Sequence, residues 1–349
     1  MRTGLSLTRA TALLLLAMAC STVGAASKCA LEQIDEWPIR LVRNRLIVDG
    51  ASHGQRIAVL LGTGAQQSVM LRSAAERLKL NRPSVKGFPL IGLGGESRAE
   101  VVTVNGLEVG RFVFNAWKFQ IPIDQKLGDD FDVVLGEDFF STVDVEFDLA
   151  HHAVRLFKPS GDCDGVSLAY WASGGASEVE MERMLHVRPQ INLPVVVNGQ
   201  SAQALLDTGA SVSILTRRGA REAGLTPESP GVVASGKLVG IGEKSVDVWI
   251  GPLKSFTVAD ETISDLTIRF ADLYKHVTYN FTGSHTPYKV YPEPSILLGV
   301  DFLSAHRVLV AHSQRKIYLT AAAGTTFAAG DLVPASSAWV SGARFALDQ

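Results

Sequence analysis

Three observations predict an all-β protein made of two similar halves. Short apolar runs bounded by Gly, Asn, Asp and Ser turns fill most of the chain, which reads as strands with two or three short helices. One segment occurs twice, as Leu60-Leu61-Gly62-Thr63-Gly64-Ala65 and as Leu205-Leu206-Asp207-Thr208-Gly209-Ala210. The 349 residues, 46% hydrophobic and 19% charged, supply apolar side chains for one large core or two modest ones, and two domains is the favoured count.

The N-terminus carries Arg2 and Arg9, an apolar core over 10–19 and then Val23-Gly24-Ala25-Ala26. This is the pattern of a secretory signal peptide over 1–26, with the mature chain starting near Ser27, and its apolar part is too short to span a membrane. An alternative is a bacterial lipoprotein anchored through Cys20, although Ala17 stands where that motif normally has leucine. Either way Cys29 and Cys163 remain. In an oxidising compartment they most simply form one disulfide, the alternative being two free buried thiols.

Both copies of the repeat begin with a strand and a turn. Leu46 to Gly50 ends in Asp-Gly, and Val195 to Gly199 ends in Asn-Gly, both strong hairpin signals. The first hairpin is the longer, with Ala51-Ser52-His53-Gly54 at its tip. Return strands Ile57–Leu61 and Ala202–Leu206 lead into the repeated loops, and helical spacing follows over Val69–Leu78 and Ile214–Ala223. Each copy then returns to Leu-Gly-x-Asp-Phe, at Leu135 to Phe139 and at Leu298 to Phe302. Asp138 and Asp301 in these runs read as helix N-caps. Period-2 hairpins close both halves: Val143, Val145, Phe147 and Leu149 face one way before a turn at His151-His152, and Val308 and Val310 precede a turn at Ser313-Gln314. The expected organisation is therefore 27–160, a Gly/Ser/Ala-rich linker over 161–188, a second half over 189–322 and a peripheral tail over 323–349.

These motifs together resemble the two-lobed, secreted bacterial type of retropepsin-like aspartic peptidase. Leu205 to Ala210 matches the active-site motif of that family at every position, and Ile296-Leu297-Leu298-Gly299 matches its second apolar-Gly motif. The resemblance implies two β-barrel lobes related by a pseudo-two-fold axis, with Asp207 as catalytic residue. Thr208, Gly209, Thr63 and Gly64 would form the frame around it. It also implies glycine-tipped flaps over the cleft, for which Gly94 and Gly95 in the first half and Gly240 and Gly242 in the second are the candidates.

Paired aspartates hydrolyse peptides because two close carboxyls cannot both ionise, so one stays protonated while the other accepts a proton from water. The first copy has Gly62 where the second has Asp207. Glycine neither takes nor gives a proton, and losing one member of such a pair removes roughly 10² to 10⁴ in rate. The expectation is an aspartic endopeptidase with impaired activity; the alternative is an inactive pseudopeptidase that binds extended peptides between the lobes. Glu96 on the first flap is one acid that could substitute for the missing one. With 33 Lys and Arg against 35 Asp and Glu, the formal charge is -2, and no basic block marks a nucleic-acid partner. The eight His show no metal pattern. The expected partner is a peptide or protein substrate, with no cofactor, no transmembrane span, and a homodimer compatible but not required. The expected location is periplasmic.

Overall fold

A computed structural model describes residues 28–81, 90–123, 128–182, 190–277, 293–322 and 327. The predicted leader, Cys20 and nearly all of the tail lie outside them. The fold is two-lobed and all-β. Strands β1 (Ala30–Leu41), β2 (Leu46–Ser52), β3 (Gln55–Leu61) and β4 (Val69–Met70) lead to helix α1 (Arg72–Arg77). Next come β5 (Leu90–Gly92), β6 (Gly95–Ser97), β7 (Ala99–Val104), β8 (Leu107–Val109), β9 (Phe112–Phe114), β10 (Trp117–Pro122) and β11 (Val133–Leu135). The first half ends with α2 (Glu137–Phe140), β12 (Asp144–Asp148) and β13 (Ala153–Ser160), and β14 (Ser177–Glu180) follows. The second half repeats the plan with β15 (Asn192–Val197), β16 (Gln200–Leu206), β17 (Ile214–Thr216), α3 (Arg217–Glu222), β18 (Val233–Val239), β19 (Ser245–Val258), β20 (Glu261–Ala271), β21 (Ile296–Leu298), α4 (Val300–Ala305), β22 (His306–Ala311) and β23 (Lys316–Ala321).

Both hairpins that lead to the repeated loops turn on a pair of residues with positive φ, His53-Gly54 (51° and 75°) and Asn198-Gly199 (49° and 77°). Asp49-Gly50 is not a turn. Both residues lie inside β2, opposite Ala58 and Ile57 of β3, and β8 pairs along the other edge. Glycine is required at 50 because a Cβ there would sit 2.6 Å from the Glu108 carbonyl oxygen. The helices are also shorter than the spacing predicts. Val69-Met70 and Ile214 to Thr216 are strands, each held between one parallel and one antiparallel neighbour. Two-sided backbone pairing overrides the local helical pattern there.

In the second lobe β15-β16-β21-β17-β20-β19 form a ring that closes where β19 pairs back onto β15. The first lobe follows the same path through β2-β3-β11-β4-β10-β7, with β8 completing the return to β2. The closing hairpins of both halves meet edge to edge in one six-stranded layer, β14-β23-β22-β12-β13-β1. At its centre Val145 faces Val310 and Phe147 faces Val308, so the two-fold relation runs through a continuous backbone ladder.

Period-2 alternation predicts one exposed face for β12, yet all five of its residues are buried. Glu146 and Asp148 are tolerated because Arg155 reaches both, at 2.6 and 2.9 Å, and Arg307 reaches Glu146 at 2.9 Å. Arg307 in turn lies 4.6 Å from the Trp171 ring centroid. The Gly/Ser/Ala-rich segment is thereby packed against this layer, with Leu168 and Ala169 buried. Cys29 and Cys163 form a disulfide across 134 residues, worth about 4–5 kcal/mol in the loop-closure account. It points to an oxidising compartment. Among the described residues no helix is long and apolar enough to cross a membrane.

Candidate active site

Strands β3 and β16 deliver the two repeated loops to the middle of the molecule, each flanked in parallel by the apolar Leu-Gly strand of its own half. That pairing continues one residue into the loop: Gly62 N donates to Leu135 O, and Asp207 N to Leu298 O, both at 2.9 Å. The turns close alike, with Ala65 N donating to Gly62 O at 3.0 Å and Ala210 N to Asp207 O at 3.1 Å. Gly136 and Gly299 let α2 and α4 back onto these turns, since a Cβ would come within 2.8 Å of Ala65 O and 2.6 Å of Ala210 O.

The helix N-caps are Gly136 and Gly299 rather than the expected Asp138 and Asp301. The two aspartates instead brace the start of β4 and β17. Asp138 accepts from Ser68 Oγ at 2.8 Å and Ser68 N at 3.1 Å; Asp301 accepts from Ser213 Oγ and N at 2.6 and 2.7 Å. Burial raises both carboxyls above the ordinary aspartate value, against those lowering hydrogen bonds.

The lobes are locked by a reciprocal exchange between threonines. Thr63 Oγ1 donates to Leu206 O at 2.8 Å and accepts from Thr208 N at 3.1 Å. Thr208 Oγ1 donates to Leu61 O at 2.7 Å and accepts from Thr63 N at 3.0 Å. All four groups are buried, where each bond adds roughly 0.5–1.5 kcal/mol net and an orphaned partner costs about 1–3 kcal/mol. Two further contacts cross the interface. Gln190 Nε2 donates to Gly64 O at 2.9 Å, and Asn44 Nδ2 donates to Ser211 O. Neither was visible in sequence, since a lone amide beside a strand carries no pattern.

Asp207 is fully buried between the loops. Its Oδ1 accepts from Gly209 N at 2.9 Å, within its own turn, and from Gly64 N at 3.2 Å, across the interface. Gly62 lies at the matching place in the first loop with no side chain to offer. A Cβ on Gly64 would collide with the Asp207 carboxylate, so the opposite lobe must present bare backbone here.

Both flap candidates are hairpin tips, and they touch. Gly94 bridges Gly242; Gly94 N donates to Ile241 O at 2.7 Å, and Lys244 N to Gly94 O at 3.1 Å. At Gly94 and Gly242 any Cβ would strike the backbone of the other tip. Gly95 and Gly242 adopt positive φ, 103° and 104°, and Gly240 is buried beside Ile241. Glu96 is exposed on the first tip, which argues against it as the second carboxyl of a buried site.

A different acid lies near the loops. Glu137 follows Gly136, and its backbone N donates to Ala65 O at 2.8 Å. Its side chain is wholly buried. Burial first, then the charges of Asp138 and Asp207, raise it well above the ordinary glutamate value. Its signal in the sequence was the x of Leu-Gly-x-Asp-Phe, glutamate in one copy and Val300 in the other.

Comparison with known proteins bears on both halves. A family model described as "Aspartyl protease" matches residues 193–302, and one described as "gag-polyprotein putative aspartyl protease" matches residues 48–142. The crystal structure of an aspartic proteinase from Irpex lacteus aligns over 86% of this chain and 99% of its own, at 11% identity and a TM-score of 0.48. No curated protein matches the chain. With one such match on each half, the chain belongs to the retropepsin-like aspartyl proteases.

Proposed function

We propose that the protein is an aspartic-type endopeptidase in which Asp207 activates the water that attacks a peptide bond. The observation that carries this reading is the placement of Asp207, held by amides of both loops within the reciprocal Thr63–Thr208 frame. An extended peptide would lie between the loops and the paired tips at Gly94 and Gly242, which part to admit it. Asp207 would take a proton from water as general base, and the frame around it would hold that carboxylate on the line of attack. Gly62 supplies no acid to protonate the carbonyl oxygen, so turnover is slow compared with a two-aspartate site. We further propose export, removal of 1–26 and residence in the periplasm, for which the Cys29–Cys163 disulfide is the supporting feature.

The test is hydrolysis of a peptide library at acidic pH by the purified mature protein, read by mass spectrometry beside Asp207→Asn. Equal signals from the two proteins would sink Asp207 catalysis. The second reading, a peptide-binding pseudopeptidase, is favoured by Gly62 itself. It requires saturable binding of peptides or of a statine-type inhibitor with no cleavage.

A further inference from the structure

The Leu-Gly-x-Asp-Phe runs and the hairpins after them are offset by 163 residues, from Leu135 to Leu298. Under that offset Glu137 corresponds to Val300, and His312, beyond β22, corresponds to Leu149, beyond β12. On one side of the two-fold axis the two positions hold Val300 and Leu149, both buried and apolar. On the other side they hold a carboxyl and an imidazole. Glu137 Oε2 lies 3.8 Å from His312 Nε2, with the side chains 0% and 5% exposed. Among the described residues neither oxygen of Glu137 and neither ring nitrogen of His312 has a hydrogen-bond partner.

An acid and a base thus stand where the other side has an apolar pair, and they do so on the side of the loop without an aspartate. Apolar side chains of similar volume stand at the mirrored place, so packing alone does not require polar ones. We propose that Glu137 and His312 form a buried acid–base pair that serves, in place of the carboxyl absent at Gly62, as the second titratable unit coupled to Asp207. Glu137 is a positioning residue here, holding a proton under the influence of the Asp207 charge.

The electrostatics agree in direction. Burial lowers His312 to about 4, so above that pH its ring is neutral and offers a lone pair. Burial, Asp138 and Asp207 all favour the protonated form of Glu137, which offers a proton. A neutral acid facing a neutral imidazole is a complementary donor and acceptor, and neither leaves a bare charge in the core. Asp138 and Asp207 bear on Glu137, and Asp144 lies beside His312, accepting from its backbone N–H. Ionisation of Glu137 would place a second negative charge near Asp207, and repulsion of that kind is what a paired aspartate supplies.

This inference rests on Asp207 as the reactive carboxyl, but its test needs no turnover. Carboxyl carbon NMR titrations of the mature protein would follow Glu137 and Asp207 in wild type, Asp207→Asn, Glu137→Gln and the double variant Glu137→Val/His312→Leu, which copies the apolar pair. Loss of the Asp207 charge should lower the Glu137 midpoint by at least about half a pH unit, whereas Glu137→Gln should leave that of Asp207 in place, because Glu137 is still protonated and uncharged while Asp207 titrates. The double variant should likewise leave Asp207 in place even if Glu137→Gln fails to fold, and His312→Leu alone should move the Glu137 midpoint. A Glu137 midpoint that stays within about 0.2 pH units of wild type in both Asp207→Asn and His312→Leu would overturn the proposal. A lowered Glu137 midpoint in Asp207→Asn, from a parent protein that cleaves nothing, would uphold the coupling and count against the peptidase reading instead.

Discussion

In the second lobe the amide of Gly209 serves the carboxylate of its own turn, whereas in the first lobe the amide of Gly64 reaches across the interface to that same carboxylate. The frame of the two loops is shared: the parallel Leu-Gly strand, the tight turn, the threonine exchange and the bracing Ser–Asp pair. The loop frame therefore does not depend on having an acid in each loop. It is made of backbone and threonine contacts that hold whether or not a carboxylate is present, which is how a loop can lose its acid and keep its shape. The chemistry is the asymmetric part.

Experiments that disturb this asymmetry separate the two roles. The largest effect is expected from Asp207→Asn, which keeps an acceptor for both amides but should reduce hydrolysis by at least about 10²-fold, measured as kcat/KM with the fold checked by circular dichroism. Gly64→Ala in the acid-free loop comes next. The methyl group collides with the Asp207 carboxylate, and a displacement of about 1 Å should cost on the order of 10²-fold in kcat/KM. Gly62→Asp would restore the symmetry and should raise activity by roughly 10²-fold if the frame is ready for a second acid. A folded variant with no gain would show that the first loop has diverged in more than one side chain.

Thr63→Val and Thr208→Val test whether the frame is symmetric in energy as well as in geometry. Each removes a buried hydroxyl that donates once and accepts once, so both should destabilise by about 2–4 kcal/mol in urea unfolding. Unequal losses would assign the interface to one lobe. The smallest effects concern pH. Glu137, Asp138, Asp144 and Asp301 are raised, by burial first in each case. The folded state holds these protons more tightly, so their contribution is full below the ordinary carboxyl values and is lost as pH rises through the folded ones. His312 runs the other way: lowered from 6.5 to about 4, it contributes fully above 6.5 and loses that contribution as pH falls through 4. Burial alone would raise Asp148, but its hydrogen bonds to Arg155 and His151 lower it, so its contribution too is lost as pH falls; the four raised carboxyls outweigh these two groups, and Tm should peak at mildly acidic pH. Glu137→Val should flatten the neutral-side fall, and His312→Leu the acid-side one.

Much of the site could be read from the residues in order. The hairpin signal at Asn198-Gly199, the two loops and the Leu-Gly runs all depend on local chemistry that a repeat makes visible. The tip at Ala51 to Gly54 is where the first hairpin turns, on His53-Gly54; Asp49-Gly50, the stronger turn pair, lies inside β2, and only the neighbouring strand at Glu108 explains a glycine there. Asp138 and Asp301 depart from the N-cap expectation for a related reason. A carboxylate before a helical stretch suits an N-cap, but Ser68 and Ser213 are brought to it by strands about 70 and 88 residues away. Glu137 and His312 are 175 positions apart in the chain, so nothing local could pair them.

By itself the sequence determined the duplication, the all-β class, the cysteine pair and the imbalance between Gly62 and Asp207, because each is a matter of residue type and near-neighbour spacing. Tertiary structure alone decided which amide of the opposite loop reaches Asp207, how the two glycine tips meet and which acid is buried near the loop of Gly62. Those facts depend on contacts between chain segments more than a hundred residues apart. Burial, which sets the charge state of a carboxyl, exists only once both lobes have closed around it.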